Sequence, residues 1–250
     1  MDVDPRRHLA IEGAHNVRDL GGYETRDGRQ TRFGRFLRSD GLHELTAAGR
    51  AKLLEMGLKT VVDLRRGSEL ATAPSVFAGS TDVAYHHLDM IGEGALEEAQ
   101  PLRESVERMA HMYCLWLDRR QEPVGRILSA LAAADAVPAL FNCAAGKDRT
   151  GVTSALLLSV AGVDDDVVAA DYTLSARFLL DGHVRLLEAA GKASPGFSEQ
   201  DYRRQFVPAE AMSRVMRHLH DEHGGAESYM RSVGLEDEQI ESLRSGLLDE

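Results

Sequence analysis

The residues best equipped for chemistry lie in one short stretch, Phe141-Asn142-Cys143-Ala144-Ala145-Gly146-Lys147-Asp148-Arg149-Thr150-Gly151. A thiolate at Cys143 would be a soft nucleophile. Arg149, further along the same loop, can curl back and hold a phosphate with a planar, two-pronged donor. Ahead of the cysteine, Val137-Pro138-Ala139-Leu140-Phe141 is an apolar run that reads as a short buried strand ending at Asn142. Behind Arg149, the apolar stretch from Val152 to Val160 reads as a helix. Strand, tight loop and helix aim successive N–H groups and a helix N-terminus at one point, and such a point favours an anion. A cysteine facing that field ionises more easily, because the field stabilises thiolate over thiol. The pattern points to cleavage of a phosphate ester through a phosphocysteine.

Cys-x5-Arg alone is a loose pattern, but here Gly146, Lys147, Thr150 and Gly151 accompany it. With them the stretch resembles the signature loop of the protein tyrosine phosphatase superfamily. The variant Cys-Ala-Ala-Gly-Lys-Asp-Arg-Thr-Gly is similar to the bacterial branch of tyrosine, dual-specificity and phosphoinositide phosphatases. Asn16-Val17-Arg18-Asp19-Leu20-Gly21-Gly22-Tyr23 resembles the opening motif of that branch. Gly162 to Ser175 is also similar, although a helix start followed by a core face explains that stretch equally well. The resemblance runs from about Asn16 to about Leu247 and thins after Leu180.

Roles follow for individual residues. Cys143 is the expected nucleophile, and Arg149 the clamp on equatorial phosphate oxygens. The amides of Ala144, Ala145, Gly146, Lys147, Asp148 and Arg149 would form the phosphate cradle. Thr150 would donate to the departing thiolate, a role that its match in the family supports. Lys147 places a cation at the rim, suited to a substrate with more than one phosphate, such as a phosphoinositide headgroup. The general acid has candidates upstream of the loop in Asp89 and Asp118, of which Asp118, at a helix end, reads as a solvated residue. The resemblance implies Asp148, which stands within reach of a leaving oxygen, and Asp89 ranks second. Candidate walls of the site are Asp63 and Arg65, Arg18 and Asp19, and Asp89; a structural ion pair is the alternative for Arg18 and Asp19. Arg66 and Glu69 read as a solvated pair. Asn142 stands where much of the superfamily has histidine; its amide would hold the loop by donating hydrogen bonds, and the thiolate would be less stabilised than beside an imidazolium.

The elements that must position these residues can be read in order. Asp27-Gly28 signals a hairpin turn within a module over residues 14–40, with Phe33, Phe36 and Leu37 on the returning strand. Leu42 to Met56 has helical spacing closed by Gly57, and Lys59 to Leu64 is a β-branched strand. Asp82 to Leu88 alternates as a further strand, residues 91–101 connect, and Leu102 to Leu117 and Val124 to Ala134 read as helices. Asp164-Asp165-Asp166 opens a helix through Tyr172 to Leu180, Ser194 to Ser198 is a loop, and helices follow over Pro208 to His220, Tyr229 to Val233 and Glu236 to Leu247. The expectation is one α/β phosphatase domain over 1–250. It has a short, mostly parallel central sheet flanked by helices, an N-terminal hairpin, and a helical portion over 164–250 placed to act as a lid.

Composition narrows the rest. With 250 residues, 43% hydrophobic and 28% charged, this is an ordinary globular chain able to bury a sizeable core. A net charge of −11 argues against nucleic-acid binding, so any phosphate affinity must be local. Two cysteines, Cys114 and Cys143, fit a reducing compartment, and Cys114 reads as a small core residue. The start lacks an apolar signal core and no long apolar span exists, so the expected location is the cytoplasm. The ten histidines show no metal-like grouping in sequence, and His218, His220 and His223 read as a solvated helix face; neither metal nor cofactor is expected. A P-loop nucleotidase is excluded, because Phe141 stands where that motif needs its first glycine. Arg149-Thr150-Gly151 and the N-terminal match disfavour sulfur transfer and arsenate reduction. A phosphate-reading module without turnover is the alternative from another class. Phosphotyrosine, phosphoserine or phosphothreonine, and phosphoinositides all stand as candidate substrates.

Overall fold

The computed structural model describes residues 4–93, 106–192 and 195–248. Among the described residues, five strands form one sheet in the order β1 (Arg18–Asp19), β2 (Phe36–Ser39), β5 (Ala139–Asn142), β3 (Thr60–Asp63) and β4 (Ala84–His87). Only β1 runs antiparallel, against β2; the other pairings are parallel. Parallel neighbours need crossovers, and crossovers cover both faces of a sheet with helices. That explains why β5 reads as an unbroken apolar run. Leu140 packs on one face with Leu53, Val61 and Phe77, and Phe141 on the other with Leu117, Leu128 and Leu156.

The helices are α1 (Ala47–Glu55), α2 (Gly67–Thr72), α3 (Val106–Arg119), α4 (Gln121–Ala132), α5 (Asp148–Val160), α6 (Asp165–Thr173), α7 (Ser175–Ala189), α8 (Glu199–Phe206), α9 (Ala209–His223), α10 (Ala226–Ser232) and α11 (Asp237–Leu247). In α3, Met109, Ala110, Tyr113, Trp116 and Leu117 recur at three and four residues, so one stripe is buried. By contrast α5 is buried nearly all round and is the central helix.

Register builds the site. Ser39, Asn142 and Asp63 lie opposite one another, so β2, β5 and β3 end together and Asp40, Cys143 and Leu64 leave one sheet edge. Ligands of open α/β sheets gather at this carboxyl edge.

Several expectations change in detail. α5 starts at Asp148 rather than Val152, with Gly151 N donating to Lys147 O at 2.8 Å, so Arg149 belongs to its first turn. The expected helix from Asp164 to Leu180 divides at Leu174, where the turn tightens. α2 is too short to show a period. No helix is expected from the sequence at α8, yet Ser198 caps one there: Asp201 N donates to Ser198 Oγ and Ser198 N to Asp201 Oδ2. The strand expected over Asp82 to Leu88 is a short edge strand with His86 and His87 exposed. The turn at Asp27-Gly28 is present, with Gly28 N donating to Thr25 O at 2.9 Å. The connection expected over residues 91–101 lies outside the described residues from 94 onward, as do residues 102–105 of the expected helix and Ser194 of the expected loop.

Candidate active site

Cys143 is the first residue beyond β5, and its side chain is buried. The loop that follows is fastened through its carbonyls. Ala144 O accepts from Gly41 N at 2.9 Å, Ala145 O from Asn16 Nδ2 at 2.9 Å, and Gly146 O from Arg38 NH2 at 2.8 Å and Asn16 Nδ2 at 3.1 Å. In a trans peptide the carbonyl and the next N–H point opposite ways. Three carbonyls tied outward therefore turn the amides of Ala145, Gly146 and Lys147 toward the other side. The first-turn amides of α5 add further donors without intrahelical partners. Gly146 has φ +63°, and a Cβ there would lie 2.5 Å from the backbone of Ser39 and Asp40. Only glycine lets the loop sit this close to β2.

A buried charge cluster backs the loop. Arg18, Arg38 and Asp171 are almost fully inaccessible. Arg38 NH1 donates to Asp171 Oδ2 at 2.5 Å, Arg18 Nε lies 3.7 Å from Asp171 Oδ1, and Tyr23 donates to Asp171 Oδ1 at 2.8 Å. Burial pushes the Asp171 carboxyl up, but Arg38, Arg18 and the Tyr23 hydroxyl outweigh it and hold it below the usual carboxylate range. Burial and the neighbouring Arg38 bring the Arg18 guanidinium down to about 10. Two guanidiniums against one carboxylate leave net positive charge beneath the loop, which favours an anion above it.

Arg149 is held by Glu69 of α2: NH1 donates to Oε2 at 2.6 Å and NH2 to Oε1 at 2.9 Å. Burial favours the neutral carboxyl, yet the hydrogen bonds from Arg149 and Arg66 take Glu69 down to about 2. Burial opposes charge on Arg149 as well, but Glu69, Cys143 and Asp148 hold its guanidinium above the ordinary value. Asp148, part-exposed at the start of α5, accepts a short hydrogen bond from Tyr113 of α3, and Tyr113 and Tyr172 share a hydrogen bond of 2.9 Å. Burial and then the Asp148 charge keep the Tyr113 phenol well above its usual pKa, so it stays a donor. Lys147 Nζ lies 3.7 Å from Asp148 Oδ1 and over the Phe206 ring. Thr150 Oγ1 is buried without a hydrogen-bond partner.

The structure thus gathers Cys143, Lys147, Asp148, Arg149 and Thr150 at one sheet edge, and the residues expected as walls have partners of their own. Arg18 and Asp19 engage different partners: Arg18 lies under the loop, and Asp19 caps the amides of Gly21 and Gly34. Asp63 and Arg65 form a buried two-pronged pair, Nε to Oδ1 at 2.9 Å and NH2 to Oδ2 at 2.7 Å, with Arg65 NH1 also donating to Ala73 O and Tyr85 to Asp63 Oδ2. Asp89 caps the amides of Ile91 and Gly92 in a turn. Asn142 does not hold the loop, because both its amide atoms are buried without partners. Glu69 is no solvated residue but the seat of Arg149. Asn16, Arg38, Glu69, Tyr113 and Asp171 were missed as site residues; Asn16 carried a signal as the first residue of the N-terminal motif, and Asp171 one as part of the stretch from Gly162 to Ser175.

This geometry can bind an anion of phosphate size over a buried sulfur. Comparisons agree with it. Residues 9–249 match the model of the tyrosine phosphatase family. A tyrosine-protein phosphatase of Nostoc commune is 32% identical over 213 residues, covering 84% of this chain and 72% of that protein. The triple specificity protein phosphatase PtpB of Mycobacterium tuberculosis is 26% identical over 285 residues, covering 95% of this chain and 98% of that protein. Family match, sheet topology and loop converge: the chain belongs to the tyrosine phosphatase family and is a phosphatase.

Proposed function

We propose that the enzyme hydrolyses phosphate monoesters in two displacements at Cys143. The Cys143 thiolate attacks phosphorus and the ester P–O bond breaks. Asp148 gives its proton to the leaving oxygen, and a phosphocysteine results. Water then attacks phosphorus, the S–P bond breaks, Asp148 takes the proton from that water, and phosphate leaves with the thiolate restored. Arg149, seated by Glu69, grips equatorial oxygens as charge develops, and the amides from Ala144 to Arg149 share it. The unpartnered Thr150 hydroxyl is available to the sulfur as it departs. The observation that carries this reading is the outward anchoring of the Ala144, Ala145 and Gly146 carbonyls, which leaves donors on the opposite side beside a buried cysteine.

Phosphotyrosine is the proposed principal substrate. Lys147 at the rim, and a mycobacterial relative named as a triple specificity protein phosphatase, support substrates beyond phosphotyrosine, with phosphoserine, phosphothreonine and phosphoinositide as the candidates. The helices after Leu174 are proposed as a cover, supported by Phe206, whose ring lies beneath Lys147 and whose carbonyl accepts from Tyr172 at 3.5 Å. No helix among the described residues is long and apolar enough to cross a membrane; a cytoplasmic location is part of the proposal. The test is turnover of p-nitrophenyl phosphate, phosphotyrosine and phosphoserine peptides and phosphoinositide vesicles, beside Cys143→Ser. Loss of all turnover in the variant is expected. Retained turnover, or binding without turnover by the unaltered protein, would overturn the reading. Asp148→Asn should slow alkyl phosphates more than aryl phosphates with good leaving groups, and equal slowing would remove Asp148 as the acid.

A further inference from the structure

Away from the loop, the fold joins an aspartate to two histidines about a hundred positions further along the sequence. Asp118 is near the C-terminal end of α3; His218 and His223 are on α9. His218 Nε2 lies 2.8 Å and His223 Nε2 2.9 Å from the same oxygen, Asp118 Oδ1. One potential ligand atom from each residue lies within 4.8 Å of the other two. We propose that this cluster is a binding site for a divalent metal of the zinc class, clasping α3 to α9, with the open coordination position filled by water.

Donor type, spacing and support carry the inference. Two imidazole nitrogens and one carboxylate oxygen form a borderline set that suits zinc better than calcium or magnesium, which take oxygen ligands. Metal–ligand distances of about 2.0–2.2 Å in a tetrahedron put ligand atoms about 3.3 Å apart. The two oxygen–nitrogen edges are therefore within about half an ångström of the required length, a shift that side-chain torsions absorb. Both histidines present the same atom to one oxygen, so a metal at the centre replaces two hydrogen bonds without turning either ring over. His218 and His223 are mostly buried, at 23% and 14% side-chain exposure, while Asp118 at 37% keeps the site open to solvent on one side. That is the burial of a site that an ion can enter and still be held in.

The rings are also braced. His223 packs edge-on against both His218 (centroids 5.5 Å apart) and Tyr229 (5.0 Å). The Tyr229 hydroxyl donates to Leu117 O at 3.0 Å, tying this support to the residue before Asp118. Gly224 ends α9 in the left-handed conformation at φ +71°, directly after His223. Such outer support fixes ligand orientation before the ion arrives. The same α3 carries Tyr113 against Asp148, so an ion here would steady the helix that holds that carboxylate.

The inference is independent of the chemistry at Cys143, and its test is built to stay so. Cys143→Ser serves as the background, because an active-site thiolate itself binds zinc. Zinc chloride is titrated against a chromophoric zinc indicator, and thermal unfolding is followed with and without the ion. One zinc per chain and a raised Tm are expected. Asp118→Asn keeps an acceptor for the imidazole N–H groups but removes the charge, and His218→Gln with His223→Gln removes both nitrogens. Each should weaken zinc binding by at least about tenfold, the low end of what lost metal-site support costs. Cobalt(II) in place of zinc should give the intense visible absorption of a four-coordinate site, absent from the variants. Failure of the background protein to take up zinc would overturn the proposal, as would equal uptake by a folded Asp118→Asn variant. Should the double histidine variant fail to fold, the Asp118→Asn arm decides.

Discussion

Two arginine–carboxylate clusters flank the same loop and behave as opposites. Below it, Arg18 and Arg38 share Asp171 out of reach of water, with Arg38 also fastened to Gly146 O. At its mouth, Arg149 pairs with Glu69, with side-chain exposures of 11% and 19%. The lower cluster is a fixed foundation, whose carboxylate cannot be lost without stranding two buried charges. The upper one is an aimed tool, in which Glu69 orients a guanidinium that must still take phosphate. Similar ion pairs therefore do different work according to burial: the first shapes the loop, the second presents a donor.

Four substitutions sharpen or break this contrast. Asp171→Asn should cost about 3–5 kcal/mol in denaturant unfolding, because removing one partner leaves uncompensated buried charge. A loss under about 1 kcal/mol, the worth of an exposed pair, would dissolve the distinction. Arg149→Lys should leave stability nearly unchanged but lower kcat/KM by about 10²–10³, as for loss of an aimed transition-state donor. Glu69→Gln should lower kcat/KM about tenfold through misorientation of Arg149, with a loss of stability smaller than that of Asp171→Asn. Tyr113→Phe should have the smallest effect, a few-fold loss in kcat confined to poor leaving groups.

Glu69 also sets a pH dependence. Its folded pKa, about 2, lies below the ordinary value of 4.5. The stability it contributes is therefore complete above the unfolded pKa and is lost as pH falls from about 4.5 through about 2. Wild-type and Glu69→Gln stabilities, compared by unfolding at stepped pH, should differ by a constant amount above about pH 5 and converge below it.

The front of the site was legible in sequence because it is local. Cys143 through Gly151 is one stretch whose backbone geometry follows from a strand, small residues and a helix start. The foundation was not, because Arg38 and Asp171 meet only through the register of β2 against β5 and the placement of α6 beneath the loop. Arg18 and Asp19 show how adjacency misleads: successive residues on a strand point to opposite faces, so neighbours in sequence found different partners. Glu69 was missed because α2 has too few residues to show a period. Asp118, His218 and His223 show the same limit on a larger scale.

The central claim is that phosphate passes through the Cys143 sulfur. Rapid mixing with p-nitrophenyl phosphate, acid quenching within the first turnover and mass analysis of the proteolytic peptides tests it most directly. The expected result is a burst of p-nitrophenol and one transient phosphoryl group on the peptide containing Cys143. A burst with the phosphoryl group on another residue would contradict the account, as would single-turnover hydrolysis by a Cys143→Ser variant at the wild-type rate.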